Sequence, residues 1–185
     1  MILGVAGYQG SGKTTLVELV VPRIVEAGFA VATVKHVAHG DLRVDAGATD
    51  TERHKRAGAR AAVAVSDEET VYFHTAAHSL EQVLERLALL DEFDLVLVEG
   101  FKASPLPKVV VGDVEHGGPA RFRWDGTVPH AARIAEEIMG ELRAERMRKR
   151  APGGPRRHPG ARRGRASARS AVRRRRTRGA GRRGR

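Results

Sequence analysis

The 185-residue chain contains no cysteine. That excludes disulfides, thiolate metal centres and dithiol redox chemistry. Asparagine is absent as well, so the Asn-Lys-x-Asp motif by which many GTPases read guanine is missing, and base choice cannot be read from the residues. Aromatic residues make up 4 % of the chain, and none occurs from Lys149 onward, so that segment offers no stacking surface for nucleic-acid bases. No apolar run approaches the ~20 residues that cross a bilayer, and the N-terminus has no basic n-region. The expectation is a soluble, cytoplasmic protein without a membrane segment.

Charge is held unevenly. Of the 33 Lys and Arg residues, 16 lie between Lys149 and Arg185, where there is no acid. Residues 1–148 therefore keep 17 bases against 22 acids, a formal net of −5, and the overall +11 belongs to the tail. A tail of Arg, Gly, Pro and Ala cannot bury enough apolar surface to offset its chain entropy, so disorder is expected over 149–185. The preceding 148 residues can bury roughly two-thirds of their unfolded surface, enough for a core.

Within 1–148 the apolar pattern alternates between strand and helix periods. Ile2–Ala6 reads as a buried strand, and Lys13 to about Ala27 as a helix with Leu16, Leu19, Val20 and Ile24 on its apolar side. Pro22 removes one main-chain hydrogen bond inside it and predicts a kink, while Gly28 serves as its C-terminal cap. Phe29–Val34, Ala61–Ser66, Val71–His74, Asp94–Gly100 and Pro107–Gly112 read as further strands. Helices are expected over Asp50–Arg56, after Ser79 (where Ser-x-x-Gln is a capping box) and from Pro129 to about Arg148. His36–Thr49 reads as a loop. Alternating strands and helices predict an α/β fold, a mostly parallel sheet flanked by helices.

The stretch GYQGSGKT carries the chemistry: Gly7-x-x-x-x-Gly12-Lys13-Thr14 is the P-loop spacing, set between a strand and a helix. Backbone N–H groups around Gly10, Ser11 and Gly12 can point into one concavity, and the helix that follows adds its positive dipole end. Lys13 would reach the terminal phosphates, the Thr14 hydroxyl would ligate Mg2+, and Thr15 adds a hydroxyl beside it. Such a loop needs an acid to hold the metal at the end of a neighbouring strand. Glu99 ends the run DLVLVEG at its carboxyl edge, whereas Asp94 begins it about 17 Å away. Glu99 is therefore the metal candidate. Lys35 offers a second positive charge. His36 and His39 fit either phosphate contact or metal ligation, and Asp45 and Asp50 are candidates to orient water or metal.

Taken together, GYQGSGKTTL, VKHVAHG, DAGATDT with RAGA, DLVLVEGFK and PLPKVVV resemble the molybdopterin-guanine dinucleotide biosynthesis protein B (MobB) family over about residues 1–111. The resemblance implies a P-loop NTPase fold of GTPase type, binding GTP with Mg2+ and commonly a homodimer. It implies a weak GTPase acting as an adaptor, which assists the guanylyltransferase that attaches GMP to the molybdenum-carrying molybdopterin cofactor. It also places His36, Asp45, Asp50 and Glu99 near metal or phosphate, with Phe101-Lys102 following the metal-side strand. The chain departs from the family pattern in its short region after Gly112 and its Arg-rich tail.

Other readings stay open. A small-molecule kinase shares the loop but usually carries a lid rich in arginines, and here only Arg121 and Arg123 fall between the Glu99 strand and the last helix. A nickel-insertion GTPase is similar in build, yet the chain has neither Cys nor a His-rich tract. In a different class, the tail could hold nucleic acid or another polyanion through phosphate contacts that weaken with salt.

Overall fold

A computed structural model describes residues 1–37 and 49–150, with the Arg150 side chain left out. The elements run β1 (Ile2–Ala6), α1 (Lys13–Glu26), β2 (Val31–Lys35), α2 (Asp50–Arg56), β3 (Ala61–Val65), β4 (Thr70–His74), α3 (Leu80–Leu90), β5 (Leu95–Glu99), β6 (Lys108–Val111), β7 (Ala120–Trp124) and α4 (Val128–Arg150). Five strands form one sheet in the order β2-β5-β1-β6-β7, every pair parallel. The sheet is mostly as the sequence predicts. β7 is the addition: ARFRW alternates weakly and is half exposed, so its pattern does not announce a strand. Phe29 and Ala30 stand before β2 rather than in it, and β2 extends instead to Lys35.

Side-chain alternation divides the strands between two faces. Leu95 and Leu97 pack with Leu3, Val5, Val109 and Val111 beneath Leu16, Val20 and Ile24 of α1 and Ile134, Ile138 and Leu142 of α4. Val96 and Val98 face the other way, against Leu80, Leu84 and Leu87 of α3. The α3 amino end carries the expected capping box, Ser79 accepting from Gln82 N and Gln82 Oε1 accepting from Ser79 N. α1 is helical through Pro22 and closes on Gly28, whose φ is +82°. α4 runs two residues past Arg148, so Lys149 pairs with Glu145 on the helix. The rest of the basic tail, 151–185, lies outside the described residues.

The strands β3 and β4 do not join the main sheet. They form an antiparallel hairpin in which Ala62 opposes Phe73 and Val63 opposes Tyr72. One face meets α2 through Lys55, whose ammonium lies 4.8 Å from the Phe73 ring centre. The opposite face leaves Val63, Val65 and Tyr72 exposed.

At the amino edge of the sheet, Asp94 ties three elements together. Its carboxylate accepts from Arg146 Nε at 3.0 Å and Nη2 at 2.6 Å on α4, and from Ala30 N at 2.8 Å ahead of β2. Arg146 also donates to Gly28 O and stacks 4.2 Å from the Phe29 ring centre. The Arg146 hydrogen bonds, helped by the Ala30 N–H and opposed by burial, hold the Asp94 carboxyl below the usual range. A depressed folded-state value stabilises the fold above the unfolded value and loses that contribution as pH falls through the folded one. Asp94→Asn is therefore expected to lower stability by about 1–3 kcal/mol at pH 7. The gap from wild type should narrow below pH ~4, where the unfolded Asp protonates. Urea unfolding of both proteins between pH 3 and 7 checks this, and a pH-independent gap would contradict it.

Candidate functional site

The chain leaves β1 at Ala6 and enters α1 at Lys13, so residues 7–12 form a loop at the carboxyl end of the central strand. Gly10 and Gly12 turn it with φ of +75° and +95°, conformations open to glycine and strained for other residues. The Gly12 position also lies against Trp124, whose ring would stand 3.3 Å from a Cβ placed there. Trp124 itself is buried and donates to Thr127 O at 2.8 Å. It buttresses the loop from β7. Sequence reasoning passed over this residue, although it is the single tryptophan of the chain.

Parallel pairing then sets the acid beside the loop. Val5 lies opposite Glu99 on β5, and Lys35 lies opposite Glu99 on β2. Thr14 Oγ1 in the first turn of α1 donates to the Glu99 carboxylate, with Oε1 at 3.1 Å and Oε2 at 3.2 Å. Lys35 Nζ stands 3.8 Å from Glu99 Oε1. Lys13 Nζ donates to Tyr8 O at 2.6 Å, folding its ammonium back over the loop. Thr15 is exposed in the same turn. Among the described residues, the Ser11 hydroxyl is buried without a hydrogen-bond partner. Asp94 is held at the opposite edge by Arg146, away from this group.

The chain turns sharply after Glu99. Gly100 has φ of +91° and Phe101 +45°, a left-handed pair in which the second residue bears a side chain. A Cβ on Gly100 would come 2.7 Å from His36 Cβ, so glycine permits the close approach of His36. His36 N donates to Glu99 O at 2.9 Å, and its ring packs 4.6 Å from Phe101. Lys102 carries its ammonium over the Tyr8 ring at 5.6 Å, joining this turn to the glycine loop.

These atoms suit a phosphate and a hard cation. The open space at Gly10, the unpaired Ser11 hydroxyl and the Lys13 ammonium fit phosphate oxygens. Thr14 and Glu99 give oxygen donors to an ion such as Mg2+, which keeps most of its water and asks for few protein ligands. Among the described residues no cluster of three His, Asp or Glu side chains makes a closed metal cage. Asp50 pairs with Arg53 on its own helix at 3.1 Å, and its side chain is 83 % exposed. Asp45, His39 and Arg43 lie outside the described residues.

The residue that sequence reasoning missed most completely is Lys108. It is fully buried, the single charged residue in the described core. Its ammonium donates to Ser104 O at 2.8 Å, Ser104 Oγ at 2.9 Å and Leu106 O at 3.3 Å. Burial pulls its pKa below the usual lysine range. Three acceptors match the three protons of the ammonium, so the loop that follows Phe101 is fastened to β6 from beneath.

A parallel sheet carrying a glycine-rich loop at the carboxyl end of its central strand, with an acid on the adjoining strand, defines an α/β protein of the class whose ligands sit at the carboxyl edge of the sheet. A family model, molybdopterin guanine dinucleotide synthesis protein B, matches residues 2–128. The chain belongs to this MobB family. It is 36 % identical over 115 residues to the molybdopterin-guanine dinucleotide biosynthesis adapter protein of Haemophilus influenzae, covering 60 % of this chain and 62 % of that one. The adapter protein of that name in Escherichia coli is 31 % identical over 113 residues, covering 60 % and 64 %. The chain thus spans less than two thirds of the length of either relative. Crystal structures of Bacillus subtilis MobB and of a MobB homologue from Bacillus stearothermophilus superpose with TM-scores of 0.63 and 0.53. The first shares 23 % identity and covers 76 % of this chain and 97 % of that one. The second shares 26 % and covers 77 % and 98 %.

Lys108→Met keeps the stem and removes the donor, leaving carbonyls of the 104–106 turn unpaired. Stability should fall by about 1–3 kcal/mol. Amides of residues 101–106 should exchange faster than those of α1, and unchanged exchange there would show that Lys108 does not hold the loop.

Proposed function

We propose that this protein is a GTP-binding adaptor in the making of the molybdenum cofactor, acting where Mo-molybdopterin is converted to its guanine dinucleotide form. The observation that carries the nucleotide part is the Thr14–Glu99 contact beside a left-handed glycine loop. A hydroxyl and a carboxylate held together beside that loop support a reading in which they take the Mg2+ of a bound nucleotide. Membership of the MobB family supports the pathway. The adapter names of the H. influenzae and E. coli relatives support the accessory role and, with it, a guanylyltransferase partner. A homodimer belongs to the same reading, and the exposed Val63, Val65 and Tyr72 on the hairpin are consistent with a protein surface that is covered in use.

Titrating GTP and ATP into the full chain with Mg2+ by calorimetry tests the reading. Lys13→Ala should abolish nucleotide binding with the fold intact, because Lys13 packs into no core. Glu99→Ala should weaken the Mg2+ dependence of binding, and Asp94→Asn should leave it in place. Equal effects of the two carboxylates would remove Glu99 from the metal site.

Hydrolysis by the isolated protein should be slow. Phosphoryl transfer needs positive charge at the γ-phosphate beyond Mg2+ and the loop lysine, and GTPases without an arginine finger turn over at roughly 10⁻⁴ to 10⁻³ per second. Arg53 is engaged by Asp50, and Arg121 by Glu141, so neither is offered to the loop. Single-turnover kinetics on GTP check this. Tens of turnovers per second without a partner would favour a stand-alone enzyme of the kinase class.

A further inference from the structure

The connection from β4 to α3 carries a histidine at each side. His74 is the last residue of β4, and His78 stands just before Ser79, the cap of α3. His74 Nδ1 and His78 Nε2 are 2.6 Å apart. The ring planes lie within 7° of each other, with centroids 4.8 Å apart, about as far as that contact allows. The rings therefore stand edge to edge in one plane, nitrogen facing nitrogen. The nucleotide reading makes no use of this pair.

Both rings hang from backbone that is already fixed. His74 pairs with Ala61 across the hairpin, and the next residue, Thr75, donates its N–H to Arg60 O at 3.0 Å. His78 leads directly into the capping box of α3. Thr75, Ala76 and Ala77 between them are short and exposed, so water reaches the pair. Strand alternation puts His74 on the same hairpin face as the exposed Tyr72.

Two ring nitrogens at this distance share one proton, one donating and the other accepting. Moved to the far nitrogen of its own ring, that proton leaves two neutral imidazoles with lone pairs on the facing nitrogens and no change in charge. Neutral imidazole nitrogens are the commonest metal ligands in proteins. We propose that His74 and His78 form an open two-imidazole site for a borderline divalent cation, Cu2+ in preference to Ni2+ or Zn2+, with water in the remaining positions.

The geometry needs little change. With metal–nitrogen bonds of about 2.0–2.1 Å, two nitrogens stand roughly 3.3 Å apart on a tetrahedral ion and roughly 2.9 Å apart on adjacent corners of a square one. The pair must open by less than about 1 Å, with a swing of the exposed His74 ring. Arg86 and Arg60 add positive charge around His74 and oppose any cation there. That favours ions with strong bonds to imidazole, Cu2+ foremost, and rejects Mg2+ and Ca2+, which ask for oxygen. A bound ion would join the end of β4 to the start of α3 and brace the hairpin.

The experiment titrates Cu2+ and Zn2+ into the full chain without nucleotide, by calorimetry, with electron paramagnetic resonance for Cu2+. The chain has eight histidines, so variants are needed to place the ion. His74→Gln and His78→Gln should each lose one equivalent of Cu2+, or weaken it by at least about tenfold. The wild-type Cu2+ spectrum should carry splitting from two imidazole nitrogens, and Zn2+ should raise the melting temperature of wild type more than that of either variant. Cu2+ binding unchanged in both variants places the ion on other histidines and overturns the site. Loss in one variant alone also overturns it, since a single imidazole then holds the ion, and so does a wild type that takes no ion. Neither ring belongs to the buried core, so both variants should melt near wild type without metal. If either fails to fold, the wild-type spectrum decides: two nitrogens support the site and one overturns it.

Discussion

Parallel, in-register pairing of β1 with β5 and of β5 with β2 is the constraint on which the candidate site depends. It sets Val5 and Lys35 level with Glu99, one on each side. The loop therefore leaves β1 at the height where the carboxylate ends β5, and the first turn of α1 delivers Thr14 to it. A shift of one residue would turn every side chain of β5 to the other face of the sheet. Leu95 and Leu97 would then leave the α1–α4 layer, and the apolar alternation forbids that slip. Core packing and site geometry are thus one restraint: the residues that bury the strand also fix the height of its terminal acid.

The two faces of this sheet are closed by different means. α1 and α4 cover one face across its width, and α3 covers the other chiefly through Val96 and Val98. Beyond that, Lys108 and Val110 on β6 are covered by connections rather than by a helix. A connection lying on a sheet brings unpaired carbonyls with it, and these must be satisfied. The buried ammonium of Lys108 does so for Ser104 and Leu106, which explains a charged residue in an otherwise apolar strand. Its desolvation is offset by three acceptors, and the result is a stiff rim beside the glycine loop.

Much of this was legible in the residues, and the reasons it was legible are local. β1, β5 and β6 are short, mainly apolar runs, Ser79-x-x-Gln82 announces a helix start, and the loop glycines stand at fixed offsets. What escaped reading depends on partners distant in sequence. Arg121 and Arg123 break the apolar pattern of β7, which becomes a strand because β6 offers it an edge. Lys108 reads as a surface residue until the 104–106 turn is laid over it. Nothing in the sequence around Trp124 ties it to the loop, and only the fold shows it pressed against Gly12. The hairpin strands were visible as β-prone runs, but nothing in their pattern says that they stand apart from the main sheet.

The acids that bracket DLVLVE show how one residue type serves two purposes on one strand. Asp94 and Glu99 carry the same chemical group and lie at opposite ends of β5. Asp94 is met by Arg146, whose guanidinium holds both of its oxygens and stacks on the Phe29 ring, so its charge is neutralised by a partner within the protein. Glu99 is met by a hydroxyl and by a lysine at 3.8 Å, a looser set that does not neutralise it as firmly. A carboxylate committed to a bidentate guanidinium has few lone pairs left for a cation, whereas one held by a hydroxyl keeps them. Strand polarity decides which is which: helix C-terminal residues arrive at the amino edge with Arg146, and the helix amino terminus arrives at the carboxyl edge with Thr14. The parallel crossover therefore puts a cationic side chain at one end of the strand, and at the other a field of N–H groups that favours anions. Structure is secured at the first end, and the second is left with oxygen donors, N–H groups and an ammonium facing the same edge.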